Sequence, residues 1–190
     1  FYNLTTSGIL TGHSTNINVA GNFINNNTFN HNSGTVTISG TGAQTIGGST
    51  TPTVFHKLTK NASGTATLAV NVTVNNLLTI SSGILDANIF TLSGAGGLTK
   101  TGGELRMSKL TTLPELTGSY SITGGTCTFN GAGAQTIKSA TYYHVNIAGS
   151  GTKTLAGATT INGNLNIQNG TLDVSASNYT INLAGNWINT

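Results

Sequence analysis

Only four side chains in this 190-residue chain carry a carboxylate, Asp86, Glu104, Glu115 and Asp173. Acid–base chemistry of the glycosidase kind needs two of them roughly 5 to 9.5 Å apart. Asp86 and Asp173, however, close matching stretches, Gly83-Ile84-Leu85-Asp86 and Gly170-Thr171-Leu172-Asp173. A residue that recurs with its surroundings reads as scaffold, so both are read as turn formers, about four coils and roughly 19 Å apart at a strand spacing of about 4.8 Å. His56 and His144 also recur at nearly the same repeat position, and neither has a second His close by in sequence to share a metal. Cys127 is the only cysteine, which excludes an intrachain disulfide and a thiolate zinc site. Its repeat partner is Val36, the position of a small core residue. Ser is abundant, but no Gly-x-Ser-x-Gly elbow marks a nucleophile. The reading assigns no catalytic, cofactor-binding or metal-ligating residue, expects no cofactor, and takes the chain not to be an enzyme.

These residues are positioned by a repeat. Gly-Ala-Gln-Thr-Ile occurs as Gly42 to Ile46 and again as Gly133 to Ile137, an offset of 91. Ser33 to Gly40 matches Gly124 to Gly131 at the same offset, in size or polarity at every position. The offset slips to 87 for Ser63 to Leu68 against Ser150 to Leu155, then returns to 91 for Thr91 to Gly94 against Asn182 to Gly185. Length changes confined to such spots mark turns, and the intervals of constant length mark strands. In a third register Ile17 to Asn25 reappears as Ile181 to Asn189, where Trp187 takes the place of Phe23 and is read as core. Phe1 to Thr5 resembles Phe55 to Thr59, so the expectation is one segment, residues 1–190, cut from a longer array, with imperfect repeats over 1–94 and 95–190.

Within each unit, apolar residues alternate with Thr or Asn, as in Val36/Ile38, Leu78/Ile80, Val145/Ile147 and Leu165/Ile167. Period-two alternation is the signature of strands with one face buried, and no helical period competes with it. Charge is scarce: seven Lys or Arg and four Asp or Glu make 6% of the chain. The cations form no stripe, which argues against nucleic acid, and no apolar run approaches the roughly 18 residues of a membrane span. Short strands with a long repeat favour an all-β solenoid over a sandwich. The expected fold is a right-handed parallel β-helix of about eight coils, about four per repeat, with like residues stacked on like.

The series Gly-Asn-aromatic-x-Asn at Gly21, Gly-Thr-x-Thr at Gly34, Gly-Ala-Gln-Thr-Ile at Gly42 and Phe-x-x-Leu-Thr at Phe55 resembles the long repeats of large adhesin-like surface proteins of Bacteroidota type. Leu92 to Leu105, rich in Gly and Thr, is similar to the passenger-associated repeat of autotransporters. Both resemblances imply a parallel β-helix outside the cell, in an extracellular or cell-surface protein. They imply a structural or adhesive, filament-forming segment, with a carbohydrate-binding or polysaccharide-active β-helix as the alternative. Its expected partners are neighbouring repeats or further copies, end to end or laterally, with glycans or a host surface as candidates.

One stretch, about 98–120, has no counterpart in the other copy and reads as an irregular insertion. It holds Lys100, Glu104, Arg106, Lys109 and Glu115, the candidate partner contacts, while the lysines of the chain at large, Lys57 and Lys60 included, read as solvated turn decoration. Tyr142 joins the candidates, because alternation with Tyr143, taken as the counterpart of Phe55, points it outward. The Thr-x-Thr elements at Thr35, Thr65, Thr126 and Thr152 lie too far apart to form a ladder with one member per coil, which argues against ice binding.

Overall fold

The computed structural model describes residues 1–174 and 177–190. All regular structure among them is β, and every strand pair is parallel and joins one coil to the next. The chain winds into a β-solenoid of about nine coils. Each coil has three faces, named here A, B and C in chain order. Coil one contains Ile9–Thr11, Asn16–Val19 and Phe23–Asn25 on faces A, B and C; coil two contains Thr28–Asn30, Thr35–Ile38 and Gln44–Gly47. In coils three and four a single long strand, Thr53–Leu68 and then Val72–Asp86, bends around all three faces. The last coil contains Thr171–Asp173, Ile181–Leu183 and Trp187–Asn189.

Face assignment follows from burial parity. In Thr35–Ile38, Val36 and Ile38 point inward, and in Leu165–Ile167 both apolar residues do. Inward residues stack in columns, such as Leu85, Leu105, Cys127, Val145 and Leu165 on face C. Cys127 is fully buried in that column, as its partner Val36 implies. Burying each such aliphatic side chain is worth roughly 1.5–3 kcal/mol. Phe23, Phe29 and Phe55 pack edge-on or tilted with ring centroids 5.1 to 5.9 Å apart within the core of the first three coils.

Two structural facts correct the repeat reading. Thr35–Ile38 lies on face B, but its copy Thr126–Phe129 lies on face C; Gln44–Gly47 lies on face C, but its copy Gln135–Ile137 pairs with Thr152–Leu155 on face A. The 91-residue unit therefore advances thirteen face positions, four coils and one face, so equivalent residues do not stack. Gln44 sits against Ala66, and Gln135 against Lys153. Asp86 and Asp173 consequently occupy different faces, opposite Arg106 and Thr154 respectively. Only the third register, Ile17 to Asn25 against Ile181 to Asn189, returns to the same faces after eight coils.

The second correction is one of parity. Thr35 pairs with Lys57, and its copy Thr126 pairs with His144, so Lys57 and His144 are equivalent, and so are Phe55 and Tyr142. Tyr142 is therefore buried rather than exposed, and its hydroxyl donates to Lys138 O at 2.8 Å. The shared His in Thr-Val-Phe-His and Thr-Tyr-Tyr-His suggests an offset of 88, and a slip of one residue turns every side chain to the opposite face.

Segment 98–120 supplies strands Gly97–Lys100, Glu104–Met107, Thr112–Leu113 and Glu115–Leu116, each paired with a neighbouring coil. Phe23 is fully buried between Leu4 and Ile46, and Trp187 takes the corresponding place in the inward column of face C, paired with Leu165 on the last coil.

A polar stripe on face C as the candidate functional site

Polar groups inside the coil are consumed by the corners. Lys60 and Lys100 occupy the inward column Val19, Ile38, Lys60, Ile80, Lys100 and Ile122 on face B. Both are fully buried, which corrects their reading as solvated turn residues and removes Lys100 from the candidate contacts. Their stems continue the Ile column, and their ammonium groups curl into the glycine-rich corner between faces B and C. Lys60 Nζ donates to Ala62 O, and Lys100 Nζ to Gly103 O at 2.7 Å and Gly124 O at 3.1 Å. Burial lowers the Lys100 ammonium to about 8, with the Cys127 thiol and Glu104 opposing the shift. Burial likewise pushes the Cys127 thiol up to about 12, which leaves it an unreactive thiol.

On the outer side of face C the sequence-derived candidates Glu104 and Arg106 come together. Two apart on one strand, they share a face, and Arg106 Nη2 meets Glu104 Oε2 at 2.9 Å. Thr128, opposite Arg106 on the next coil, donates its hydroxyl to Glu104 Oε1 at 2.6 Å. Asp86 lies opposite Arg106 on the preceding coil. Asp86 and Glu104 are thus diagonal neighbours, with side chains starting roughly 7–8 Å apart. Reading the four acids one by one missed this pair; the signal that could have found it is a spacing of 18 residues, one coil less two positions.

Adjacent coils bring the pair near each other, but its electrostatics are not those of a glycosidase pair. Burial alone would raise the Glu104 carboxyl; the hydrogen bonds from Arg106 and Thr128 and the nearby charges of Arg106 and Lys100 outweigh it and hold the group below its ordinary value. A general acid needs the reverse shift. Asp86 Oδ1 accepts the Asn88 N–H at 2.8 Å, which fits its reading as a turn former. The stripe here holds one ion pair, Arg106 with Glu104, and the nearby Asp86 adds its charge to the field on the guanidinium.

The remaining candidates lie on face A. Lys109 Nζ bonds Glu115 Oε1 at 2.9 Å and Thr91 Oγ1 at 2.6 Å, tying two coils together. Glu115 Oε2 is buried without a partner beside a small cavity lined by Phe90, Leu92, Met107 and Leu113. This site is separate from the stripe.

Farther along face C the stripe becomes neutral. Thr126, His144 and Asn164 follow Glu104 in one outward column, and Thr128, Asn146 and Asn166 follow Arg106 in the next. Thr126, His144, Asn146, Asn164 and Asn166, together with Val145 and Ile188, line a shallow groove of about 280 Å³. His144 Nδ1 accepts the Asn164 N–H at 2.8 Å, and Asn164 Oδ1 accepts the Asn186 N–H at 3.0 Å. At the other end of the solenoid Asn3 and Asn22 do the same for Asn22 and Thr45, at 2.7 and 2.8 Å. His144 thus stands in for a corner Asn. Gly21, Gly163 and Gly185 precede these corners because a Cβ there would collide with the cap or carbonyl of the coil below.

Three of the four histidines lie on successive corners between faces A and B. His31 and His56 stack with centroids 5.5 Å apart, and His13 and His31 each accept a backbone N–H from the residue two ahead at 3.1 Å. Among the described residues no three His, Cys, Asp or Glu side chains gather as metal ligands. A hydroxyl column absent from the Thr-x-Thr spacing does form on face B, through Thr37, Thr59, Thr79, Thr99 and Ser121. Thr37 in it is buried and bonded to Asn16 Oδ1 at 2.8 Å.

No family model, curated protein or solved structure matches this chain.

Proposed function

We propose that this chain is a structural and adhesive segment of an extracellular or cell-surface bacterial repeat protein, and that it performs no catalysis. The observation that carries the reading is the fate of its polar groups. Buried Gln and Lys side chains are spent on backbone groups at the corners, Asn3, Asn22 and Asn164 cap further corners, and Glu104 is ion-paired with Arg106. What the fold offers is geometry: a rod about nine coils long at roughly 4.8 Å each, with three nearly uncharged outer faces. Low charge lets such faces approach other surfaces, including further copies, without self-repulsion.

End-to-end contact belongs to the same reading. Phe23 is closed off by the strand Gln44–Gly47 of the coil above it, and Trp187, in the equivalent inward column, is the position that a further coil would close off in the same way. A neighbouring repeat or a second copy that supplies such a strand would complete the column. The test combines two measurements on the purified chain: sedimentation velocity across a hundredfold concentration range, and retention of protein-coated beads on cell and polysaccharide surfaces. Bead retention above an albumin control, or concentration-dependent association weakened by Trp187→Arg, supports the proposal. A strictly monomeric chain whose beads are not retained sinks it.

A further inference from the structure

The neutral groove on face C carries an inference that deepens this adhesive reading and rests on it. Its hydrogen-bonding inventory is unusually definite. Because His144 Nδ1 accepts the Asn164 N–H, the neutral ring carries its proton on Nε2, which makes it a fixed donor. Asn146 Oδ1 and Asn166 Oδ1 are buried and have no hydrogen-bond partner. Asn146 spends its amide Nδ2 on Gln168 Oε1 at 3.1 Å, which leaves the carbonyl as its free function. Thr126 adds a hydroxyl, and Ile188, 37% exposed, adds an apolar wall.

Unpaired buried acceptors are costly, roughly 1–3 kcal/mol each, and a ligand hydroxyl that met them through a turn of the Asn146 and Asn166 side chains into the groove would offset that cost. The groove has no charged lining residue, and the nearest charges, Glu104 and Arg106, satisfy each other. An anion would find no Lys or Arg in the lining to pair with. A hard cation such as calcium takes six to eight oxygens, carboxylates prominent among them, and would meet the His144 N–H instead. A ring with several hydroxyls, each both donor and acceptor and with an apolar edge, matches one donor, two acceptors, a hydroxyl and Ile188.

We propose that the groove formed by Thr126, His144, Asn146, Asn164, Asn166 and Ile188 binds a neutral glycan, one pyranose unit at a time, and is a contact point of the adhesive surface. The experiment titrates the purified chain by calorimetry with neutral oligomers of glucose, mannose, galactose and N-acetylglucosamine, alongside sialylated and sulfated glycans. Two variants keep the fold. His144→Asn retains the corner cap, since Asn3, Asn22 and Asn164 serve equally well, but removes the Nε2 donor. Asn166→Ala removes an unpaired acceptor and leaves the melting temperature unchanged or higher.

The expected result is binding of at least one neutral oligomer, weakened tenfold or more by each variant while the melting temperature holds. Absence of neutral-oligomer binding at millimolar concentration, binding of charged glycans alone, or binding that both variants leave intact would overturn the assignment. Bead retention on glycan-free surfaces, measured on the same protein, separates the two readings. If retention persists without glycan binding, only the subsite fails; if both are absent, the adhesive function fails with it.

Discussion

Gln44 and Gln135, 91 residues apart and on different faces, make the same three hydrogen bonds. Gln44 Oε1 accepts the Gly40 N–H at 3.0 Å, and its Nε2 donates to Val19 O at 3.1 Å and Gly21 O at 2.7 Å. Gln135 Oε1 accepts the Gly131 N–H at 3.0 Å, and its Nε2 donates to Met107 O and Lys109 O at 2.9 Å each. Each amide is a buried bracket that closes its own corner and clasps the corner below. The conserved pentapeptide is thus a corner device. Lys153, stacked on Gln135, takes the same role on the next coil, with Nζ donating to Gly131 O and Gly133 O at 2.8 Å and Ser150 O at 2.7 Å.

Replacing Gln135 with Leu keeps the volume but strands one N–H and two carbonyls. The expected loss is about 3 kcal/mol of unfolding free energy, with Gln44→Leu costing a similar amount. Urea denaturation of the two variants checks this. A loss below about 1 kcal/mol in both would show that the brackets are dispensable.

Lys100 makes stability rise in alkali. Its folded-state value, lowered by burial to about 8 from 10.5, means that the unfolded chain binds more protons between those values. Its stabilising contribution is therefore fully present only above about 10.5 and is lost as pH falls toward about 8, a change on the order of 2 kcal/mol. Chemical denaturation at pH 7.5, 9 and 10.5 reads this slope, and Lys100→Met should flatten it.

The histidine corner gives a second pH dependence, with its own window. Burial, and then the charge of His56, lower the His31 value below 6.5. The unfolded chain takes up the proton first, so the stability His31 contributes is present above about 6.5 and is lost as pH falls below it. His31→Gln should reduce the drop in melting temperature between pH 7 and pH 5; an unchanged drop would refute the assignment.

Tyr142→Ala should cost roughly 3–5 kcal/mol, because it empties a fully buried aromatic site against Phe129, whereas Tyr142→Phe loses only the bond to Lys138 O. Loss of glycan binding in Tyr142→Ala would thus report unfolding, and Tyr142→Phe should bind like the parent chain. Circular dichroism melts alongside the calorimetry separate the two effects.

Gly125 has φ of +70° and lies where a Cβ would run into Lys100 Nζ and the Gly103 carbonyl. Gly125→Ala should destabilise by at least about 2 kcal/mol, and combining it with Lys100→Met should recover part of the loss, a coupling that a double-mutant cycle measures.

The sequence by itself determined the all-β solenoid, because strand alternation is local and the slips in offset mark adjustable turns. It also identified Cys127 as core through Val36, whereas 98–120, read as an irregular insertion, hid the strand that puts Glu104 and Arg106 on one face. Only the tertiary structure decided which face each strand joins. A 91-residue unit of thirteen face positions returns out of phase with a three-faced coil, so the neighbours of a residue come from strands about 20 residues away rather than from its copy. That is why Asp86 meets Arg106 and why Lys60 and Lys100 lie in an isoleucine column, while Tyr142 turns inward because the true offset from Phe55 is 87 rather than 88. It is also why the groove of His144, Asn146, Asn164 and Asn166 was not legible in the sequence: each residue alone looks like corner scaffold, and the unpaired acceptors exist only once adjacent coils are in register.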